Sequence, residues 1–211
     1  GIRYRVAGGK VDRPGAVVLP TQRFQSILRT SSDPELAVEV NEGQLVVRSL
    51  HAQFELPGED PDLFPDPPDF GLSAFHVVAA ADLKRLIRRT MFATDVESTR
   101  YALGGVLVEL DGQAITLVGT DGRRLAKATA PAEVEGDASA PAGQPVIPVK
   151  ALKLIERNLD DEDPPVHLAI QANTAALVRT ERAIIYTRLV EGRFPRYQDV
   201  FPATAEARIP M

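Results

Sequence analysis

Side chains able to do covalent chemistry are few in this sequence of 211 residues, and they are scattered along it. There is no cysteine, which excludes a thiolate nucleophile, a thiolate metal site and a disulfide framework. The three histidines, His51, His76 and His167, fall in separate strand-like segments and lack the spacing of metal ligands. The sequence also lacks a phosphate-binding glycine loop and a GxSxG nucleophile motif. We therefore predict no catalytic residue, no metal site and no cofactor.

Cations, in contrast, recur at helical spacing in two segments. Residues 82–91 and 150–159 each combine an apolar stripe with basic residues between the apolar positions, which predicts two amphipathic helices. The cations on their exposed faces are Lys84, Arg85, Arg88, Arg89, Lys150, Lys153 and Arg157. The chain as a whole is acidic, with 24 basic and 29 acidic residues and a net charge of −5.

Two such basic faces allow two interpretations. They can be ordinary solvated helix surfaces, or, if the helices lie side by side, one positive surface suited to polyanionic phosphates. No aromatic platform, zinc-finger spacing or recognition-helix pattern accompanies the cations. The second interpretation therefore predicts contact with a nucleic-acid backbone without reading of base sequence.

The chain repeats one pattern three times, a helix of about ten residues followed by three short strands. The helices are predicted at 22–29, 82–91 and 150–159. The order predicts an α+β fold with helices on one face of largely antiparallel sheet. In the middle unit, Asp121 and Gly122 join two strand-like runs, and this dipeptide favours a tight type I′ hairpin turn.

Three segments interrupt the repeats. Residues 57–71 carry five prolines and five acidic residues, which predicts an extended connector between domains. Residues 130–145 are rich in Ala, Pro and Gly and are predicted to form a surface loop. Residues 191–202 resemble the first segment, and each of the two contains a Phe-Pro pair.

Four motifs carry a resemblance to a known family. The run ATDVESTRYALGGVLVEL followed by GTDGRRLAKA closely resembles the middle domain of the bacterial sliding clamp, the β subunit of DNA polymerase III. IPVKALKLIERNL is similar to a helix of that domain, and EGRFPRYQDVFP to the family's linker between its middle and last domains. The resemblance covers essentially the whole chain.

The resemblance implies a DNA-clamp fold, with helices on the inner face of a ring and sheets on its outer face. It assigns residues 1–57 to the second half of an N-terminal domain and 58–71 to a linker. It assigns 72–192 to a complete middle domain, and 193–211 to a linker and the start of a third domain that this sequence lacks. It implies a non-catalytic processivity factor that encircles duplex DNA as a homodimer when full length, in the bacterial cytoplasm.

The resemblance also implies partners and site residues. The expected partners are the DNA polymerase III alpha subunit, the clamp loader and other proteins with a clamp-binding motif. To the helix cations it adds Arg100 and Tyr101 as DNA-facing residues, and it implies a ring interface at Phe54 and Leu56. The implied partner-peptide pocket consists of Leu103, Thr120, Gly122, Arg123, Arg124, Leu125, Pro195, Asp199 and Val200.

The sequence departs from the family's usual pattern at four positions. Asp199 stands where a basic or neutral residue is usual and Arg196 where an acid is common, so the rim charge of the pocket is expected to differ. Ala102 replaces a frequent aromatic residue, and Glu97 is acidic where a polar group is usual. The alternative to a clamp is an enzyme of unknown class whose basic helices are incidental. A helix layer on one side of a continuous sheet favours the clamp.

Overall fold

A computed structural model describes residues 1–6, 9–41, 43–65, 68–97, 102–138, 141, 143–172 and 174–200. The chain divides into two compact units, residues 7–66 and a larger unit formed by 1–6 with 67–211. Residues 1–6 are grouped differently from the sequence-based assignment, because strand β1 (Ile2–Tyr4) pairs with a strand of the larger unit. No helix in the described part of the chain is long and apolar enough to cross a bilayer.

In its described residues the smaller unit has one α-helix packed on a three-stranded antiparallel sheet. Helix α1 (Thr21–Thr30) is followed by β2 (Ala37–Asn41), β3 (Gln44–Arg48) and β4 (Gln53–Pro57), in the order β2-β3-β4. Alternate residues of the strands turn towards the helix, and the core consists of Ile27, Leu45, Val47 and Leu56. This arrangement agrees with the predicted first repeat.

In its described residues the larger unit contains two antiparallel sheets and two α-helices. The elements in chain order are β5 (Phe75–Val78), α2 (Ala80–Thr90), β6 (Gly105–Leu110), β7 (Ala114–Thr120), β8 (Leu125–Pro131), β9 (Glu133–Glu135), β10 (Val146–Pro148), α3 (Val149–Arg157), β11 (Val166–Gln171), β12 (Ala175–Arg179) and β13 (Ala183–Arg188). The six-stranded sheet has the order β1-β13-β12-β11-β5-β9, and the four-stranded sheet the order β10-β6-β7-β8.

The core of the larger unit lies between its helices and one face of each sheet. Leu83, Leu86 and Ile87 of α2 pack into it, as do Leu152 and Ile155 of α3. These are residues of the predicted apolar stripes, so the periodicity identified the buried side of both helices. The strands alternate: in β6, Val106, Val108 and Leu110 belong to this core, whereas Leu107 packs in a separate cluster.

Two local predictions from the sequence differ from the structure. The segment 130–145, predicted as a loop, contains the short strand β9. The turn at Asp121 and Gly122 is not a two-residue type I′ hairpin, because Thr120 pairs with Leu125 and leaves a connection of residues 121–124. Gly122 has a positive φ of 85°, as expected, but Asp121 is not among the residues with positive φ, and a type I′ turn requires both.

Candidate functional site

Helices α2 and α3 pack against each other, and their exposed sides are joined by a contact between Arg88 and Glu156. Arg88 Nε lies 2.6 Å from Glu156 Oε1. The side chain of Arg88 is 60% exposed, so solvent reaches this pair. Its hydrogen bond to Glu156 raises the pKa of Arg88. The interpretation of α2 and α3 as side-by-side basic helices therefore agrees with the structure, but Glu156 neutralises part of their charge.

Lys84 is neutralised from the loop that follows α3. Its Nζ lies 3.1 Å from Asp161 Oδ1, and its side chain is only 15% exposed. The loop is fixed by Arg182, whose Nη2 donates to Asp160 Oδ2 at 2.7 Å and to Asp163 Oδ1 at 3.1 Å. These carboxylates raise the pKa of Arg182. Lys84 was predicted to lie on the exposed face of α2, but its side chain is largely buried.

The other predicted DNA-facing cations divide into two groups. Arg85 pairs with Asp82 one turn earlier in α2. Four cations have no ion-pair partner within the part of the chain that the structure describes, and they are Arg89, Lys150, Lys153 and Arg157. All four are exposed. Arg100 and Tyr101 lie outside the described residues.

The connection between β7 and β8 is held by two side chains. Thr120 Oγ1 accepts from Gly122 N–H at 3.0 Å and donates to the Arg124 carbonyl at 2.7 Å. Asp121 Oδ1 accepts from the backbone N–H groups of Arg123 and Arg124, each at 2.9 Å. The backbone N–H of Arg124 is the main reason why the pKa of Asp121 is lowered.

The guanidinium of Arg124 is tied to two elements. Its Nε donates to Asp121 Oδ2 at 2.9 Å, and its Nη2 donates to the Phe92 carbonyl at 3.0 Å. The guanidinium carbon also lies 5.7 Å from the centre of the exposed Phe92 ring, within cation–π range. Arg124 is therefore held in a defined position at the end of the hairpin.

The segment 193–200 packs on the face of the four-stranded sheet opposite the helices. Phe194 and Tyr197 are buried there against Leu107 and Val118, and the half-buried Leu125 packs against the same cluster. The Ala102 N–H donates to the Arg193 carbonyl at 3.3 Å, which ties the segment to the residues that precede β6.

A buried hydroxyl fixes the same segment. Tyr197 Oη donates to Glu109 Oε2 at 2.6 Å, and burial together with this bond raises the pKa of Tyr197. The Lys127 ammonium lies 5.4 Å from the centre of the Tyr197 ring. The hairpin and the segment are therefore held together through Tyr197.

The remaining predicted pocket residues differ in exposure. Leu103 and Thr120 are buried, Pro195 is half-buried, and Val200 is 67% exposed. Asp199 lies at the surface, with Oδ2 3.8 Å from Arg196 Nε. The structure thus brings the hairpin and the segment 193–200 into one region, with Val200 as its exposed apolar side chain.

Phe54 and Leu56, the predicted ring-interface residues, lie in the smaller unit. Both pack in its core, and Leu56 is 6% exposed. Strand β4 lies at the edge of its sheet, because β3 is its only neighbour there within the described residues. The backbone groups on the other side of β4 are therefore not paired with a strand among those residues, and they are free to pair with another strand.

Sequence reasoning missed the residues that position the others. Asp121 was noted only as a turn residue, and Glu109, Tyr197 and Glu156 were not considered as partners. The alternation of β6 could have identified Glu109, since it is a charged residue facing opposite to Val108. Among the described residues, no group of three or more His, Asp and Glu side chains could hold a metal ion.

Comparison with known proteins identifies the class of protein. Residues 77–196 match the family model of the DNA polymerase III beta subunit, central domain. The beta sliding clamp of Salmonella typhimurium is 31% identical over 206 residues, which cover 97% of this chain and 55% of the relative. The chain therefore belongs to the family of the DNA polymerase III beta subunit, the bacterial sliding clamps. It spans about half the length of the curated relatives it matches.

Solved structures agree with this assignment. The DNA polymerase III subunit beta from Pseudomonas aeruginosa superposes with a TM-score of 0.82 at 27% identity, over 97% of this chain and 55% of the other. A Helicobacter pylori beta clamp bound to a DNA ligase peptide shares the fold, with a TM-score of 0.84 at 21% identity over 96% of this chain and 56% of the other. The α+β clamp fold expected from the resemblance is confirmed.

Proposed function

We propose that this chain is part of a ring-shaped sliding clamp, a non-catalytic processivity factor that encircles duplex DNA and tethers the replicative polymerase. One observation carries the proposal: the exposed cations of α2 and α3 lie on one side of the larger unit's sheets, and the linker-like segment 193–200 on the other. One side suits phosphates and the other a protein partner. The alternative, an enzyme with incidental basic helices, has no support in the family to which the chain belongs.

Weak contact with DNA suits such a function. A closed ring holds its DNA by topology, so contacts to phosphates need only be loose and independent of base sequence. Tight or base-specific contacts would oppose sliding. The exposed cations Arg89, Lys150, Lys153 and Arg157 provide contacts of the loose kind.

The second part of the proposal is a partner-peptide pocket at the hairpin and the segment 193–200. Leu125 and Val200 would supply apolar wall, Arg123 and Arg124 a polar rim, and Asp199 a negative charge. The Helicobacter pylori beta clamp binds a DNA ligase peptide, which supports a peptide-binding role in the family. The partners would be the polymerase III alpha subunit, the clamp loader and other proteins with a short hydrophobic motif.

The third part concerns assembly and location. The full-length protein would close as a homodimer, with the edge of β4 pairing with a partner strand. DNA replication in bacteria takes place in the cytoplasm, so we place the protein there.

The experiment uses the full-length product of the gene, loaded onto nicked circular DNA by its own clamp loader and separated by gel filtration. We expect the protein to co-elute with the circle and to be lost when the DNA is cut once into a linear molecule. Retention that does not depend on the circle being closed, or no retention at all, would contradict the proposal.

A further inference from the structure

We propose that Glu156 limits the DNA affinity of the α2–α3 surface, by holding Arg88 in an ion pair that a DNA phosphate must displace. The inference rests on the proposed function, because it assumes that this surface meets DNA. It goes further by assigning a role to an acidic residue on that surface. The role is to reduce the charge that the surface presents.

Exposure distinguishes Arg88 from a buried cation. Because the Arg88 side chain is 60% exposed, a phosphate in solution can reach its guanidinium. What competes with the phosphate is the carboxylate of Glu156, 2.6 Å from Arg88 Nε. A phosphate that takes its place exchanges one anion for another and leaves the carboxylate unpaired beside a second negative charge. The net gain from such a contact is therefore small.

Lys84 provides the contrast on the same helix. It too is paired, with Asp161, but its side chain is only 15% exposed whereas that of Asp161 is 72% exposed. Removing the charge of Asp161 would therefore leave Lys84 covered by its surroundings. Of the two acids, Glu156 is the one whose charge decides whether an accessible cation is available to DNA.

The pair also joins α2 to α3, so a purely structural role must be distinguished from the proposed one. A structural link predicts lower thermal stability without Glu156 and unchanged DNA binding. The proposed role predicts stronger DNA binding, in a manner that depends on Arg88.

The test is a double-mutant cycle on the 211-residue chain, with binding to a fluorescein-labelled duplex followed by anisotropy at several salt concentrations. Glu156→Gln keeps a hydrogen-bond acceptor beside Arg88 and removes the charge. We expect it to bind about three- to tenfold more tightly at low salt, and to steepen the slope of log K against log salt by about 0.9, the value for one additional phosphate contact. Arg88→Gln should weaken binding much more in the Glu156→Gln background than in the unaltered chain.

Two matched controls distinguish an effect of the Arg88–Glu156 pair from the general effect of removing one charge. Glu162→Gln removes an exposed acid of the neighbouring loop that has no ion-pair partner in the described part of the chain, and it should change binding much less. Arg89→Gln should weaken binding equally in both backgrounds, since Arg89 has no ion-pair partner among the residues that the structure describes.

Three results would overturn the inference. They are unchanged binding by Glu156→Gln, an equal gain from Glu162→Gln, and an equal effect of Arg88→Gln in both backgrounds. If instead the unaltered chain and every variant show no salt-dependent binding to duplex DNA, the DNA-binding part of the proposed function fails, and this inference fails with it.

Discussion

At Arg88 and Lys84 the same outcome, a neutralised cation, has two different origins. The Arg88 side chain is exposed and is neutralised by its pairing with Glu156, whereas Lys84 is covered by its surroundings as well as paired with Asp161. Both lie on α2, about one turn apart, and the sequence alone treats them as equivalent. Counting basic residues on a helical face therefore overestimates the charge that the face presents.

His76 provides a prediction at the same scale. It is buried in β5, where its neighbours across the strands are Val134 and Leu168, and its Nε2 has no hydrogen-bond partner among the described residues. Burial lowers the pKa of His76, so the unfolded chain takes up a proton at a higher pH than the folded chain does. Stability contributed by neutral His76 is present above the unfolded pKa of about 6.5 and falls as the pH decreases below it.

Calorimetric melting temperatures from about pH 8 to about pH 5 test this prediction. His76→Leu should flatten the loss of stability at low pH. It should not abolish that loss, because the pKa of His167 is also lowered, first by burial and then by Arg179. An identical slope for His76→Leu and the unaltered chain would contradict the assignment.

At the scale of elements, patterns of hydrophobic residues predicted more than patterns of turn residues. The periodicity of α2 and α3 identified these helices and their buried sides, because burial of an apolar face dictates both. The strands of the first repeat were predicted as well, but β2 leaves Val38 and Val40 exposed, so its hydrophobic residues do not mark a buried side. Strand β9 was not predicted, because it has three exposed residues and is defined by pairing with β5, which is distant in sequence. The hairpin turn was mispredicted because Thr120 and Asp121 bond to the backbone and stabilise a longer connection.

A similar limit applies to the candidate site. The basic positions could be predicted from helical spacing, but the acids that form ion pairs with them could not. Glu156 lies on another helix than Arg88, and Asp161 lies in a loop after it. The burial of Tyr197 against Glu109 likewise joins residues 88 apart in sequence.

Gly119 in β7 shows how closely α2 approaches the sheet. A Cβ at this position would lie 2.3 Å from the carbonyl oxygen of Thr90, the last residue of α2. Gly119→Ala should therefore force the helix end away from the strand and lower the free energy of unfolding by about 1–3 kcal/mol in urea denaturation. Gly104→Ala is the control, because its Cβ would meet nothing closer than 3.9 Å. Equal midpoints of urea unfolding for the two variants would show that α2 lies farther from β7 than the structure places it.

The β7–β8 hairpin and the segment 193–200 together form the proposed peptide pocket, and a substitution at Leu125 tests this proposal. In the full-length protein, Leu125→Asp should weaken binding of a clamp-binding peptide by at least about thirtyfold, because an interface anchor in a pocket contributes about 2 kcal/mol or more. Thr129→Asp changes an exposed residue of the same strand, whose hydroxyl contacts Thr116 at 2.9 Å, and should have little effect. Calorimetric titration that gives the same affinity for both variants would place the pocket elsewhere.

At the scale of the whole molecule, the exposed helix cations and the segment 193–200 lie on opposite sides of the larger unit's four-stranded sheet. The helices bury their apolar stripes against one face of the sheets and leave cations outside, while Phe194 and Tyr197 cover the opposite face of the four-stranded sheet. A chain with a net charge of −5 can therefore present a basic surface, as the proposed function requires, since many of its acids lie in linkers and loops or are paired with cations. Of the seven predicted helix cations, only the unpaired ones should contribute fully to binding.

The most direct measurement of this claim compares two groups of substitutions by the salt dependence of duplex binding. One group consists of the cations without an ion-pair partner in the described ranges, Arg89, Lys150, Lys153 and Arg157. Replacing them by Gln should flatten the slope of log K against log salt by about 0.9 for each residue lost. Replacing Lys84, Arg85 and Arg88 by Gln should change the slope much less, because each of these is already paired with an acid. Equal changes per residue in the two groups would contradict the claim that pairing with an acid withholds a cation from binding. A slope that neither group alters would contradict the account of α2 and α3 as the DNA-binding surface.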